Sequence, residues 1–335
     1  MLLFNRKEDR MENKKINRRT LISIILIIII VASVEIALFF IFNNKEEEKK
    51  EEPKKNKTEI KEEFSYTPPL YKVCDSDSCL HVMGTIHLGN SKITNLSKKA
   101  LDVYDNSDTL VVELDVTEAT IDTSKYVNSE DKTVEEVAPS ELIEKLKKFG
   151  EKNPLFAYDT IKDYTPAYMT SYISTMLYMN GGYIQPGVDV FLLNKAHEDN
   201  KPIIALETIE EQEKLLYGWN FSQEFTLKQL ETSIDNYDLE KKILKSLFDS
   251  YMNGDIEALA KAFSDDLTAN DNDTSEYDNY INGMYTSRNN MMTNKVKEFL
   301  ANNQNVLVAV GAAHVVMDDG IIDQLSKDYK VERIK

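Results

Sequence analysis

The sequence predicts an α/β fold, a central sheet flanked by helices, preceded by a single membrane-spanning helix. Three observations predict it. Four β-prone apolar runs end in a glycine or a glutamate: Leu80–Gly84, Leu110–Glu113, Ile203–Glu207 and Val306–Gly311. Segments of helical periodicity lie between them, so strand and helix alternate. A further run, Leu21–Phe42, holds 22 residues with one charge, Glu35, and no Pro or Gly.

That amino-terminal run is long enough to cross a hydrocarbon core of roughly 30 Å at about 1.5 Å per residue. A cleaved signal peptide would carry a shorter apolar region, about 7–15 residues, and a small-residue cleavage site. The sequence therefore predicts a retained signal anchor over 21–42, with the lipid membrane as a partner. Residues 1–20 carry seven Lys/Arg against three Asp/Glu, while Lys45, Lys49 and Lys50 follow the span among glutamates. Acidic residues count little in orienting a span, so this bias puts residues 1–20 in the cytoplasm and the body outside the cell. Residues 43–65 are Lys/Glu-rich with one proline, Pro53, and read as a solvated tether. From Phe64 onward there are 26 Lys/Arg against 45 Asp/Glu, and a phosphate backbone would repel such a body. Nucleic acid is excluded as a partner on that ground.

The body, 66–335, opens with two predicted strands, Leu70 to Val73 and Leu80 to Met83, around the turn Asp75-Ser76-Asp77-Ser78. Cys74 and Cys79 bracket this turn and are the only cysteines. Outside a cell their spacing suits a cross-strand disulfide; inside one they would be free thiols. His81 reads as an ordinary strand side chain. Ile93 to Tyr104 has helical periodicity, and Thr109 to Leu114 is strand-like. Thr117 to Lys132 reads as loop, and Ser140 to Phe149 as a helix capped by Ser140 and followed by Gly150. Ala167 to Asn180 is rich in Tyr, Met and Ile, the composition of a buried helix or of a substrate groove. A helix starts near Asp189, whose carboxylate suits either a cap or a place in the site. His197 reads as a surface residue. Glu210 to Phe263 is mostly amphipathic helix, and Asp265 to Tyr280 is polar and acidic, hence loop. A last long helix opens at Tyr285. The chain closes with a helix over Ile321 to Leu325 and an edge strand over Tyr329 to Ile334.

Two short stretches organise this body. In Gly84-Thr85-Ile86-His87 and in Gly311-Ala312-Ala313-His314 an apolar run reaches a glycine and a histidine follows three positions later. The chain has only four histidines, so two in matching frames point to one site. Glu113 and Glu207 end the runs between them, giving the order His, Glu, Glu, His. Ligands of open α/β sheets bind outside the carboxyl ends of the strands, where all four fall. Gly84 and Gly311, with Thr85, Ala312 and Ala313, leave little side-chain bulk there. Two imidazoles and two carboxylates suit a divalent ion, zinc, manganese, cobalt or iron. In that reading the metal ligands come from His87, Glu113, Glu207 and His314: both histidines and at least one glutamate hold the ion, and the other glutamate is free to take a proton from its water. Glu207 closes its run, which favours it as the base. Arg288 and Arg333 are the only arginines beyond residue 64. In so lysine-rich a body an arginine points to the planar fork that grips carboxylates, or to an ordinary salt bridge.

Taken in order, GTIHLG, VVELD, GVDVFLLNKA, IIALET, RNNMM and VLVAVGAAHV resemble the motifs of the TraB/PrgY/GumN family, to which the Tiki membrane-anchored metalloproteases are also related. The resemblance runs from about Tyr66 to Lys335. It implies two related halves, each giving a G-x-x-H histidine and a glutamate to one cleft. It implies metal-dependent peptide hydrolysis in the Tiki branch and reduced activity of small secreted peptides in the pheromone-shutdown branch. His87, Glu113, Glu207 and His314 match the motif positions, with Arg288 and Asp189 in the supporting motifs. Met317 departs from the family, which often has glycine there. Three functions follow as expectations: a membrane-anchored, metal-dependent peptidase outside the cell, a protein that sequesters a peptide uncut, or a metal-free hydrolase with a histidine base. The erythromycin esterases have a site arranged comparably to the last.

Overall fold

The structure, a computed structural model, describes residues 64–117, 132–217, 221–264 and 275–335. The expected cytoplasmic segment, the signal anchor and the tether up to residue 63 lie outside the described residues, as does most of the expected 117–132 loop. Among the described residues no helix is long and apolar enough to cross a membrane.

Six strands form the central sheet: β1 (Leu70–Cys74), β2 (Cys79–Thr85), β4 (Thr109–Val112), β6 (Ile203–Ala205), β7 (Val306–Gly311) and β8 (Lys330–Ile334). Their order is β6-β4-β7-β2-β1-β8. β6, β4, β7 and β2 run parallel to one another, and β1 is antiparallel to both β2 and β8. Two-residue strands β3 (Leu88–Gly89) and β5 (Gln185–Pro186) pair separately. The last long crossover thus returns β7 between β2 and β4, and four parallel strands end side by side along one edge of the sheet.

β7 is buried along its whole length, as its unbroken run of apolar residues requires of a central parallel strand. Val306, Val308 and Val310 pack on one face with Met292, Val296 and Phe299 of the Ser287–Ala301 helix. Leu307 and Ala309 face the larger core, shared with Met83, Leu110 and Val112. Each such fully buried Val or Leu contributes about 1.5–3 kcal/mol. The hairpin between β1 and β2 closes as its residues dictate, Asp75 Oδ1 accepting from the Asp77 and Ser78 N–H groups at 2.9 and 2.7 Å. Cys74 and Cys79 face each other in this register and are joined as a disulfide.

The Pro166–Gly181 helix is buried on most sides. Thr170, Ser174 and Thr175 each donate their hydroxyl to the carbonyl four residues earlier in the same helix, which lets polar side chains enter the core. This helix packs against those at Gln223–Asp235 and Tyr237–Asn253, so it forms core.

Several boundaries differ from those the sequence predicts. The helix expected from Ile93 spans Lys98–Asn106 and starts at Ser97, whose hydroxyl accepts from the Ala100 N–H; Leu96 instead bridges Tyr66. The Ser140–Lys152 helix runs through Gly150, and Pro139 holds its cap position. Part of the acidic loop expected over Asp265 to Tyr280 is helix, Ser275–Ile281; residues 265–274 lie outside the described residues. Glu276 and Asp278 occupy its first turn, where carboxylates favour the positive end of the helix dipole, and Tyr280 is buried.

Candidate active site

The carboxyl ends of β2, β4, β6 and β7 carry the four expected residues. His87 lies two residues past β2 and Glu113 one past β4. Glu207 lies two past β6, and His314 falls in the short Ala312–Val316 helix after β7. The two G-x-x-H stretches therefore share a sequence frame but not a conformation. β-Branched Thr85 and Ile86 prolong the extended chain toward β3, whereas Ala312 and Ala313, good helix formers, turn it into a helix.

Arg288, buried at 5% exposure, ties three of the four together. Its Nε donates to Glu207 Oε1 at 2.6 Å and its Nη2 to Glu207 Oε2 at 2.7 Å, the bidentate fork a lysine cannot form. The same Nη2 donates to Glu113 Oε2 at 2.7 Å. Nη1 reaches His314 Nε2 at 2.9 Å and the Met284 carbonyl at 3.3 Å. A guanidinium only donates, so His314 Nε2 accepts. The His314 proton then resides on Nδ1 and is given to Asn289 Oδ1 at 2.7 Å. Burial and the Arg288 charge hold His314 down to about 3, so it is neutral. Gln212 completes this half by donating to Glu207 Oε2 at 3.0 Å.

The other half is built on His87. Its Nδ1 lies 2.5 Å from Asp189 Oδ2, and both side chains are more than four-fifths buried. Burial alone would lower the His87 pKa, but the Asp189 charge and hydrogen bond, with Glu113 beyond, raise it on balance. Asp189 is in the first turn of the Val188–Asp199 helix yet caps nothing; its carboxylate serves the histidine. Gly187 makes this meeting possible. Its N–H donates to the His87 carbonyl at 2.8 Å, and a Cβ there would stand 1.8 Å from the Ile86 carbonyl oxygen. No other residue fits.

Glu113 joins the halves. Its Oε1 accepts from the Gly311 N–H at 2.5 Å and lies 3.9 Å from His314 Nε2. Burial would raise its pKa, but Arg288, His314, His87 and that N–H bring it down to about 2. A Cβ on Gly311 would come 3.1 Å from Glu113 Oε1 and 3.8 Å from His87 Nε2, so this glycine keeps the centre of the site open. Gly84 acts differently, allowing β2 to pack on Ala312, 3.0 Å from where its Cβ would stand. A cavity of about 20 Å³ remains, bordered by Thr85, His87, Glu113, Asp189 and Gln212.

The four expected metal ligands do not converge as free donors here. Both Glu207 oxygens are engaged by Arg288 or Gln212, and His314 Nε2 by Arg288. Among the described residues no group of three or more His, Cys, Asp or Glu side chains is placed to hold an ion. A centre made of His87, Glu113, Glu207 and His314 does not fit this arrangement, because a permanent cation already stands among their lone pairs. The acceptors left near the cavity are His87 Nε2, Asp189 Oδ1 and Glu113 Oε1, the last already accepting from the Gly311 N–H.

Asn289, Gln212 and Gly187 carry parts of the site that the sequence reading did not assign. Asn289 follows Arg288 directly in RNNMM, and Gly187 opens GVDVFLLNKA, so both had a signal; Gln212, a single amide among the glutamates of the Ile209–Tyr217 helix, had none. Arg333 lies outside the site and donates to the Gly254 carbonyl. His197 is exposed and meets Thr117 and Asp115, and His81 is a strand residue of β2.

No curated protein and no solved structure matches the chain. The model of one family matches residues 69–333, nearly the whole described body, and the chain therefore belongs to the TraB/PrgY/gumN family.

Proposed function

We propose that this protein is a hydrolase that cuts peptides outside the cell, anchored by the 21–42 span, with His87 as the base that activates water. One observation carries the reading: the 2.5 Å contact between His87 Nδ1 and Asp189 Oδ2 beside a small cavity at the strand ends. Asp189 fixes the ring so that Nε2 is the acceptor and steadies the imidazolium that forms. Nε2 takes a proton from water as its oxygen attacks the scissile carbonyl, then returns the proton to the leaving amine. Arg288 is too deeply committed to bind substrate; it is a positioning residue that keeps Glu113, Glu207 and His314 in place. The peptide substrate class rests on family membership and on the outward orientation expected from the basic amino-terminal flank.

Charge supports the same reading. Glu113 and Glu207 share the one guanidinium and Asp189 stands against His87, so the site can take up a further positive charge, which the His87 imidazolium supplies.

Purified full-length chain, incubated with a random peptide library and followed by mass spectrometry, tests the proposal. Fragments are expected from the wild type, and His87→Gln is expected to cut roughly 10²–10⁴-fold more slowly. Peptides retained intact by the protein would instead support sequestration.

A further inference from the structure

Two polar atoms beside the cavity have no partner among the described residues. Thr85 Oγ1 is fully buried at the end of β2, and Asp189 Oδ1 is the oxygen of that carboxylate not used by His87. A buried hydroxyl without a hydrogen bond is costly, so such atoms in a native fold call for an occupant. Thr85 has no packing reason to be threonine rather than valine, since the sheet side chains that share its face beside the cavity are Val112 and Ala309. The space, about 20 Å³, exceeds the roughly 10–15 Å³ that one water needs and is far too small for a side chain of substrate.

We infer that Thr85 is a catalytic residue whose hydroxyl seats the hydrolytic water in this cavity; the inference rests on the reading of His87 as the base. The hydrogen-bond count closes. The Thr85 hydroxyl donates to the water, and the water donates one proton to His87 Nε2 and the other to Asp189 Oδ1. One lone pair is left over and makes the new C–O bond. The proton shared with Nε2 moves to His87, and the C–N bond breaks as that proton passes to nitrogen, giving a carboxylic acid and an amine. Asp189 thus serves twice, holding the histidine through one oxygen and the water through the other. It also gives the second position of G-T-I-H a chemical reason: a strand residue at that place reaches the space in front of the histidine two positions on.

The test compares the full-length chain with Thr85→Val, which keeps the shape and removes the hydroxyl, and Thr85→Ser, which keeps the hydroxyl. Thr85→Ala serves if the valine variant does not fold. High-resolution crystal structures are expected to show an ordered water within hydrogen-bond distance of residue 85 and His87 in the wild type and Thr85→Ser, and none in Thr85→Val. Library cleavage is expected to fall roughly 10²-fold in Thr85→Val, the scale of a misplaced reactant, and to stay near wild type in Thr85→Ser. A wild-type cavity without water, a water unmoved in Thr85→Val, or full cleavage by Thr85→Val would each overturn the inference. If the wild type cleaves nothing, the proposed function fails, yet the water positions in the variants still decide whether Thr85 seats one.

Discussion

Replacing Arg288 by lysine keeps the charge and removes the fork. Arg288 donates to Glu207 twice, to Glu113, to His314 and to Met284. An ammonium has three donors on one atom and cannot span two carboxylates and an imidazole at once. At least one carboxylate oxygen and His314 Nε2 would then be buried without a donor. Buried hydrogen bonds to charged groups contribute about 1.5–3 kcal/mol each, and breaking a buried ion pair costs about 3–5 kcal/mol. Arg288→Lys is therefore expected to destabilise the body by about 3 kcal/mol, or roughly 6–12 °C in melting temperature. The loss should depend on pH. Glu113 is held at about 2, below its ordinary 4.5, so its contribution is complete above about 4.5 and disappears as pH falls from there toward 2. Protonated Glu113 no longer needs the guanidinium, and the variant's deficit should shrink over that window. Urea unfolding at neutral pH and near pH 3 measures both effects. A deficit below about 0.5 kcal/mol at neutral pH, the range of ordinary surface substitutions, would refute the reasoning. So would an equal deficit at both pH values.

Asp189→Asn removes the charge that raises His87 above its ordinary 6.5, leaving burial to push it below. Since the base must be unprotonated, activity rises with pH through this pKa; the acid limb should move to lower pH while the rate falls roughly 10²–10⁴-fold. An unmoved limb would dissociate the pair from catalysis. Gly187→Ala should cost about 3 kcal/mol or more, because its Cβ would overlap the Ile86 carbonyl; a wild-type urea midpoint would count against that packing. Glu240 is 1% exposed and its Oε1 has no partner among the described residues. Burial raises its pKa well above 4.5, so its cost grows as pH rises from about 4.5 toward that higher value. Glu240→Gln should stabilise the protein by about 1–3 kcal/mol at neutral pH and give little below pH 4. A gain independent of pH would show that the carboxyl is not the cause.

What the sequence made legible was largely what periodicity and strand ends encode. The apolar runs gave four parallel strands, and their carboxyl ends brought His87, Glu113 and His314 together with Glu207 because neighbouring parallel strands end on one edge. Arg288 stood out only through its rarity among lysines, and its fork confirms why lysine was not used there. Less visible was how the donors are shared. Nothing in one dimension tells that Arg288 and Gln212 engage the Glu207 oxygens, or that Asn289 fixes the His314 proton, since these contacts cross 81, 5 and 25 residues of chain. The acidic composition of 275–281 hid a helix because charge pattern reports exposure, and Tyr280 turns inward from an otherwise polar segment.

The most direct test of the central claim is peptide cleavage measured together with metal content on one preparation. Full-length chain would be stripped with chelator, its bound zinc, manganese, cobalt and iron counted, and its cleavage of the library compared with untreated protein and with His87→Gln. The account predicts that stripped, folded protein cuts at the untreated rate and that His87→Gln does not. Cleavage that vanishes on stripping and returns with an added divalent ion would contradict it.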